Sequence, residues 1–341
     1  MTGEGEESAY FSRIVDEESL ASYFERELGS VEEYRIEHHQ EGHSNETLFV
    51  AWGERALVVR RPPPGETADT AHDVLREYRV MDHLQNTPVR VPPTVLACED
   101  ESVLDCEFYV MERVTGSVLR ETEPERFATP DHRRRIGAEL IDGLCEIHAV
   151  DPETVGLGEF GPFDVTTEER EVPALYDVME WLTANAPDAP THTLVQGDYK
   201  LDNVMFAPST PPELIAVFDW ELSTLGNPLV DLGWLLSYWW DAGDPDPPAA
   251  TDSLNATFMT REGYPTRKEL VERYEERTGI EYEHDRFYRA LAVYKLAGLG
   301  EMFFRRYLEG NADDPLYPKM ETGVPELADR ALRIIEGEEP L

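Results

Sequence analysis

Apolar side chains recur at helical spacing through residues 16–28 (DEESLASYFEREL), behind an acidic start and ahead of Gly29, which predicts a short amphipathic helix. The period then changes to two. Residues 32–40, 47–52 and 56–61 read as strands, the last two joined through Trp52-Gly53-Glu54-Arg55 as a hairpin. After the Pro62-Pro63-Pro64-Gly65 break the helical period returns from Ala68 to Leu84, with Val74, Tyr78, Met81 and Leu84 on one face. Strands are expected over 90–97 and 103–111, ahead of the polar linker Glu112-Arg113-Val114-Thr115-Gly116. Beyond it the pattern is helical: Asp131 to Val150, with Ile136, Leu140, Leu144 and Ile147 in line, and 172–185 after an irregular loop at 151–170. The very apolar Leu229 to Trp240 reads as a buried helix whose Trp234, Tyr238, Trp239 and Trp240 are core. Further helices are expected at 251–259, 265–277, 284–308 and 324–336, with 241–250 a loop and the final GEEPL frayed. No internal repeat is present. The order implies an α+β chain: an N-terminal helix in 1–30, a small β-rich part in 31–114, and a large helical part in 115–341.

One stretch breaks this pattern. From Leu194 to Asp231, two short apolar runs, Leu194-Val195 and Leu214 to Phe218, each deliver a carboxylate at their end, Asp198 and Asp219. Asn203 lies between them. A carboxylate able to receive a hydroxyl, an amide oxygen and a second carboxylate are the parts that hold Mg²⁺ on a triphosphate and aim an acceptor at it.

Composition narrows the partners. The 341 residues carry 70 acidic against 30 basic side chains, a net charge of −40, and the only lysines are Lys200, Lys268, Lys295 and Lys319. The acids are spread among ordinary apolar runs and form no tail, as on the surface of a protein from a high-salt cytoplasm, where the Debye length shrinks to about 3 Å at 1 M. Such a surface argues against nucleic-acid binding. No apolar run is long enough to span a membrane, and the acidic start MTGEGEES lacks the order of a signal peptide. A cytoplasmic protein, monomer or homodimer, is expected. Cys98, Cys106 and Cys145 have no zinc spacing and read as buried free thiols; His38, His39 and His43 cluster without a metal-binding spacing, and His148, at a helix end, reads as capping or packing.

Upstream, the turn Glu41-Gly42-His43-Ser44-Asn45 is small and rich in backbone donors, suited to lie over phosphates; an ordinary β-turn is the competing reading. The strand Leu57 to Arg61 ends in two cations and the following helix carries Glu77. A solvated strand edge and a surface charge are the plain alternatives.

With these blocks in order, the chain resembles the aminoglycoside phosphotransferase and choline kinase superfamily, of protein-kinase-like fold. Within it the likeness is greatest to the kinase-like domain of acyl-CoA dehydrogenase family members ten and eleven. The resemblance runs over about residues 35–305 and rests on LVVRRPPPG, AHDVLREYRVM, FYVMERVTG, QGDYKLDNVMF and FDWELSTLGNPLVDLGWLL. It implies a bilobal fold, ATP and Mg²⁺ as cofactors, and a small hydroxylated substrate as acceptor. By position it makes Asp198 the catalytic base and puts Lys200 on the γ-phosphate. Asn203 and Asp219 become the metal ligands. Arg60, paired with Glu77, takes the α- and β-phosphates; Gly42, Ser44 and Asn45 form the phosphate-side loop; and Met111, Glu112 and Val114 form the hinge that meets the adenine. Glu221 is either an outer metal group or a surface acid.

Two positions depart from the pattern. Gln196 stands where the family has a scaffold histidine bonding backbone near the metal-binding Asp, and a modest loss of order is expected. Arg60 replaces a lysine, with Arg61 the neighbouring candidate to face the phosphates. Both departures motivate a second reading, a pseudokinase that binds nucleotide or a partner; intact Asp198, Asn203 and Asp219 count against it. A hydrolase with Asp198 as nucleophile lacks a supporting acid–base pair.

Overall fold

Two compact units make up the chain: Met1–Thr87 with Val91–Thr115, and Pro88–Arg90 with Gly116–Leu341. The computed structural model describes residues 10–39, 45–64, 74–157, 172–188, 192–247, 256–309 and 315–341.

In the first unit, α1 (Glu17–Leu28) starts where the Asp16 carboxylate accepts the Ser19 N–H at 3.1 Å and stops at Gly29, whose φ is +91°. Strands β1 (Tyr34–His39), β2 (Glu46–Trp52), β3 (Arg55–Arg61), β4 (Thr94–Cys98) and β5 (Phe108–Glu112) form one antiparallel sheet in the order β1-β2-β3-β5-β4. Alternation along β2 and β3 puts Leu48, Val50, Trp52, Leu57 and Val59 into one core with Leu20 and Phe24 of α1. The N-terminal helix is therefore part of this core and not a segment apart. Of the helix expected from Ala68, the described part is α2 (Val74–Leu84).

Two strands are shorter than the pattern implies. Pro92 and Pro93 delay β4 to Thr94, because neither can donate to a ladder. Val103 and Leu104 are buried but lie in a turn that closes through Val103 N–H on the Asp100 carbonyl, and Asp105 (φ +58°) ends it before β5. Burial without alternation misled the reading there.

The second unit is mostly helical: α3 (Pro130–His148), α4 (Pro173–Ala184), α5 (Leu229–Ser237), α6 (Arg267–Thr278), α7 (Asp285–Leu308) and α8 (Met320–Glu336). Its core joins Val178 and Leu182 of α4, Trp234 of α5, Val293 and Leu296 of α7, and Leu327 and Ile334 of α8. Between α4 and α5 lie two short ladders, β6 (Thr193–Val195) with β9 (Thr224–Gly226) and β7 (Val204–Phe206) with β8 (Leu214–Val217).

Four expectations change here. The helix from Leu229 ends at Ser237, because the Trp239 and Trp240 indoles donate to the Pro265 and Pro245 carbonyls, both at 2.9 Å, on segments outside it. The described part of 251–259 holds only a 3₁₀ turn at Phe258–Thr260; the remainder lies outside the described residues. The last helix begins at Met320 and runs through Pro325. The tail is held: Glu339 is 7% exposed and accepts from Arg289 at 2.8 Å and Arg330 at 2.8 Å. A tail acid among fully buried guanidiniums cannot be recognised from a local pattern.

Cys98 and Cys145 are buried free thiols, and burial pushes the latter up to about 12. Cys106 is only half-buried. Among the described residues no helix is long and apolar enough to cross a membrane.

Candidate active site

The two ladders explain why residues distant in sequence meet. Pairing β6 with β9 and β7 with β8 sets the loop 196–203 against the loop that follows β8. Phe218 N–H donates to the Asn203 carbonyl at 2.8 Å. Gln196 Nε2 donates to the carbonyls of Phe218 (3.0 Å) and Asp219 (2.5 Å), while its Oε1 accepts the Asp198 N–H at 2.6 Å. Gln196 is fully buried and makes these three bonds, which tie its loop to the one after β8. Asp219 sits at φ +60°, a conformation that few residues other than glycine adopt without such support.

Gly197, at φ +90°, is a position where a side chain cannot fit: a Cβ would lie 2.4 Å from the Leu222 carbonyl oxygen. Its N–H and that of Gln196 both point at Asp231, at 2.8 and 2.7 Å. Asp231 has no exposed surface and takes a third contact from His148 Nε2 at 3.3 Å. The carboxylate can only accept, so Nε2 carries a proton, and Nδ1 lies 2.8 Å from the Tyr274 hydroxyl. His148 packs, as its sequence position implied. On the other side of the loop, Tyr199 donates to the Leu140 carbonyl at 2.7 Å.

The Asp198 carboxylate is surrounded. Trp234 Nε1 donates to Oδ1 at 2.7 Å, Asn203 Nδ2 to Oδ2 at 2.7 Å, and Lys200 Nζ to both, at 3.0 and 3.1 Å. A carboxylate offers about four acceptor positions. Trp234 and Asn203 take one on each oxygen, and Lys200 spans the other two. Burial pulls the half-buried Lys200 ammonium down, but Asp198, Tyr238 and Asp202 together hold it above the ordinary lysine range. Its Nζ also lies 5.0 Å from the Tyr238 ring centroid. A second lysine, Lys295 of α7, donates to the Gly197 carbonyl and stands 4.5 Å over the Trp234 ring. Burial lowers its pKa, and Asp198 and Asp231 oppose that.

Asn203 spends its amide nitrogen on Asp198, which leaves its oxygen for a cation. With Asp219 that makes two hard oxygen donors, and no group of three His, Cys, Asp or Glu suited to a metal exists among the described residues. The set fits Mg²⁺, which commonly keeps water and substrate phosphates in its remaining positions.

The first unit holds the other expected residues. Arg60 Nε lies 3.7 Å from Glu77, whose side chain is 3% exposed, and Arg60 Nη1 donates to Thr47 at 2.9 Å. Glu77 is thus no surface charge. Burial first, then the adjacent Glu77, keep the Tyr109 hydroxyl protonated beside this pair. Arg61 turns the other way, 3% exposed, into the carbonyls of Pro62, Ile14 and Leu104. At the expected hinge, Met111 is buried in β5, the Glu112 N–H is spent on the Pro93 carbonyl (2.8 Å), and the Arg113 N–H on the Ala56 carbonyl (2.8 Å). The Glu112 carboxylate binds Arg55 at 2.6 Å. Val114 follows with an N–H that none of these bonds uses. Asn45 is buried, Gly42 and Ser44 lie outside the described residues, and Glu221 is half-buried.

Sequence reasoning missed Asp231, Trp234 as a donor, and Lys295. Asp231 carried a signal: it is the one acid in the apolar run from Leu229 to Trp240.

Known proteins resemble this chain in sequence and fold. A candidate aminoglycoside phosphotransferase of Ralstonia eutropha JMP134 superposes with a TM-score of 0.77 at 30% identity, over 94% of this chain and 98% of its own. The ternary complex of aminoglycoside phosphotransferase APH(4)-Ia with AMP-PNP and hygromycin B gives 0.58 at 15%, over 94% and 99%, a likeness of fold alone. Acyl-CoA dehydrogenase family member 11 of Rattus norvegicus is 33% identical over 94% of this chain and 44% of its own length. The human protein is 32% identical over 87% and 40%, so this chain spans less than half of these relatives. Residues 35–270 match the phosphotransferase enzyme family over most of the chain, and the protein belongs to that family.

Proposed function

We propose that the protein transfers the γ-phosphate of ATP, with Mg²⁺, to a hydroxyl of a small molecule in the cytoplasm. The observation that carries this reading is the Asp198 constellation: one carboxylate oriented by Trp234 and Asn203 and bridged by Lys200. Phosphoryl transfer has a loose transition state, so positioning and charge neutralisation do most of the work. Asp198 receives and aims the acceptor hydroxyl and takes its proton late. Because Lys200 fills the two acceptor positions that a hydroxyl needs, it must turn from Asp198 to the nucleotide before the acceptor can bind. That motion delivers its charge to the γ-phosphate. Asn203 and Asp219 hold the cation through oxygen, and when bound it neutralises phosphate charge. Arg60, held by Glu77, serves the α- and β-phosphates, with Asn45 on the phosphate side. The Val114 N–H and the neighbouring hinge backbone serve the adenine.

For the acceptor, the likeness to acyl-CoA dehydrogenase family members favours a hydroxyacyl group or its CoA thioester over an aminoglycoside. ATP consumption at high KCl, screened across hydroxyacyl-CoAs, amino alcohols and aminoglycosides, identifies it. Asp198→Ala is expected to abolish turnover with the fold intact; undiminished turnover refutes the assignment. A thermal shift with ATP that does not depend on Mg²⁺ favours a pseudokinase instead.

A further inference from the structure

We infer that Trp234 and Lys295 are the positioning residues of the Asp198 base, acting as one unit that spans α5 and α7. The inference rests on the phosphotransferase reading and assigns roles that reading leaves open.

Helix α5 presents Asp231 and Trp234 three residues apart, on one face, to the loop 196–203. Asp231 holds the loop by its backbone, taking the N–H groups of Gln196 and Gly197. Trp234 holds the carboxylate itself, through Nε1 to Asp198 Oδ1 at 2.7 Å. Of the three donors to Asp198, this is the one with no other task. Asn203 is committed to the cation and Lys200 to the phosphate, whereas the indole can remain on Oδ1 throughout. It fixes the rotation of the carboxylate, so that the open lone pairs face the acceptor when Lys200 leaves.

Lys295 makes that donor effective. Its ammonium stands 4.5 Å over the indole face, where a cation draws electron density from the ring and strengthens the N–H as a donor. The same ammonium bonds the Gly197 carbonyl, so the residue just before Asp198 is held by Asp231 at its N–H and by Lys295 at its carbonyl. The residue choice supports a specific role. Arginine supplies 26 of the 30 basic residues (30 less the four lysines), yet both cations at this loop are lysines. A compact ammonium fits where a planar guanidinium fork does not.

The test uses steady-state ADP release from ATP with water as acceptor, on the full chain, for Trp234→Phe, Lys295→Met and Asp198→Asn. Phenylalanine keeps the aromatic wall and loses only the donor. Both Trp234→Phe and Lys295→Met are expected to lower kcat at least tenfold while KM for ATP stays within twofold and thermal unfolding remains cooperative. A purely packing role predicts a lower melting temperature with kcat unchanged. Wild-type kcat in Trp234→Phe, alongside a dead Asp198→Asn, overturns the positioning role and leaves the phosphotransferase reading standing. Full activity in Asp198→Asn overturns that reading itself. Should Trp234→Phe fold poorly, Lys295→Met decides, since Lys295 is only half-buried and its removal leaves the core intact.

Discussion

Asp231→Ala tests the way the loop 196–203 is held. The carboxylate is fully buried and receives two backbone N–H groups at 2.7 and 2.8 Å, with His148 Nε2 at 3.3 Å. Alanine leaves both N–H groups without an acceptor in a space closed to water. Each orphaned buried donor costs about 1–3 kcal/mol, so the pair loses about 2–6 kcal/mol. Relief from burying a charge offsets part of this, which places the expected loss near 3 kcal/mol. Native domains have only about 5–15 kcal/mol in total, so the variant is folded but visibly weaker. Asparagine is no rescue: its oxygen can accept one N–H, but its amide then turns donors toward the other. The two variants should therefore weaken the protein to a similar degree. Urea unfolding followed by tryptophan fluorescence and far-UV circular dichroism measures this, and where the units melt separately the loss falls on the second. An Asp231→Asn midpoint equal to wild type refutes the reasoning, because a side chain that must accept from two donors cannot be replaced by one that accepts from one.

Three other outcomes follow from the same geometry. Gln196→Ala removes two donors and an acceptor and should cost about 1–3 kcal/mol with slower turnover; Gln196→His keeps one donor and one acceptor and should cost less, read as paired shifts in melting temperature. Glu339→Ala strips the shared acceptor from Arg289 and Arg330, and breaking a buried pair in this way costs about 3–5 kcal/mol. Burial raises the Glu339 pKa, but Arg330, Arg289 and Arg267 overcome this and hold it below the ordinary glutamate range. Its contribution is therefore complete at neutral pH and is lost as pH falls below that range, so acid titration of stability should flatten in Glu339→Ala. Finally, raising KCl from 0.1 to 1 M should raise the melting temperature, because screening relieves a net charge of −40; a salt-independent melting curve refutes the high-salt reading of the surface.

What the sequence makes legible here is whatever depends on near neighbours. The β2–β3 hairpin follows from alternation interrupted at Gly53, α1 from an acid cap and a stopping glycine, and the Arg60–Glu77 pair from a strand end followed by a helix. The choice between Arg60 and Arg61 was not legible, since alternation says that the two face opposite ways without saying which way is which. The orientation comes from the Ile14 and Leu104 carbonyls that claim Arg61, groups remote in sequence. Trp234 shows the same limit more sharply. Reading it as core is correct: it is 2% exposed and packs with Val293 and Leu296. But an indole is an apolar body with one polar atom, and a hydrophobic pattern registers only the body. Where the N–H goes depends on how α5 is set against the loop 196–203, and that is fixed by β6 pairing with β9 and by Asp231 pinning the loop. The residues proposed to carry the chemistry were visible because their types are unusual at their spacing. The residues that aim them look like ordinary core, since holding a carboxylate still and filling a hydrophobic interior call for the same side chain.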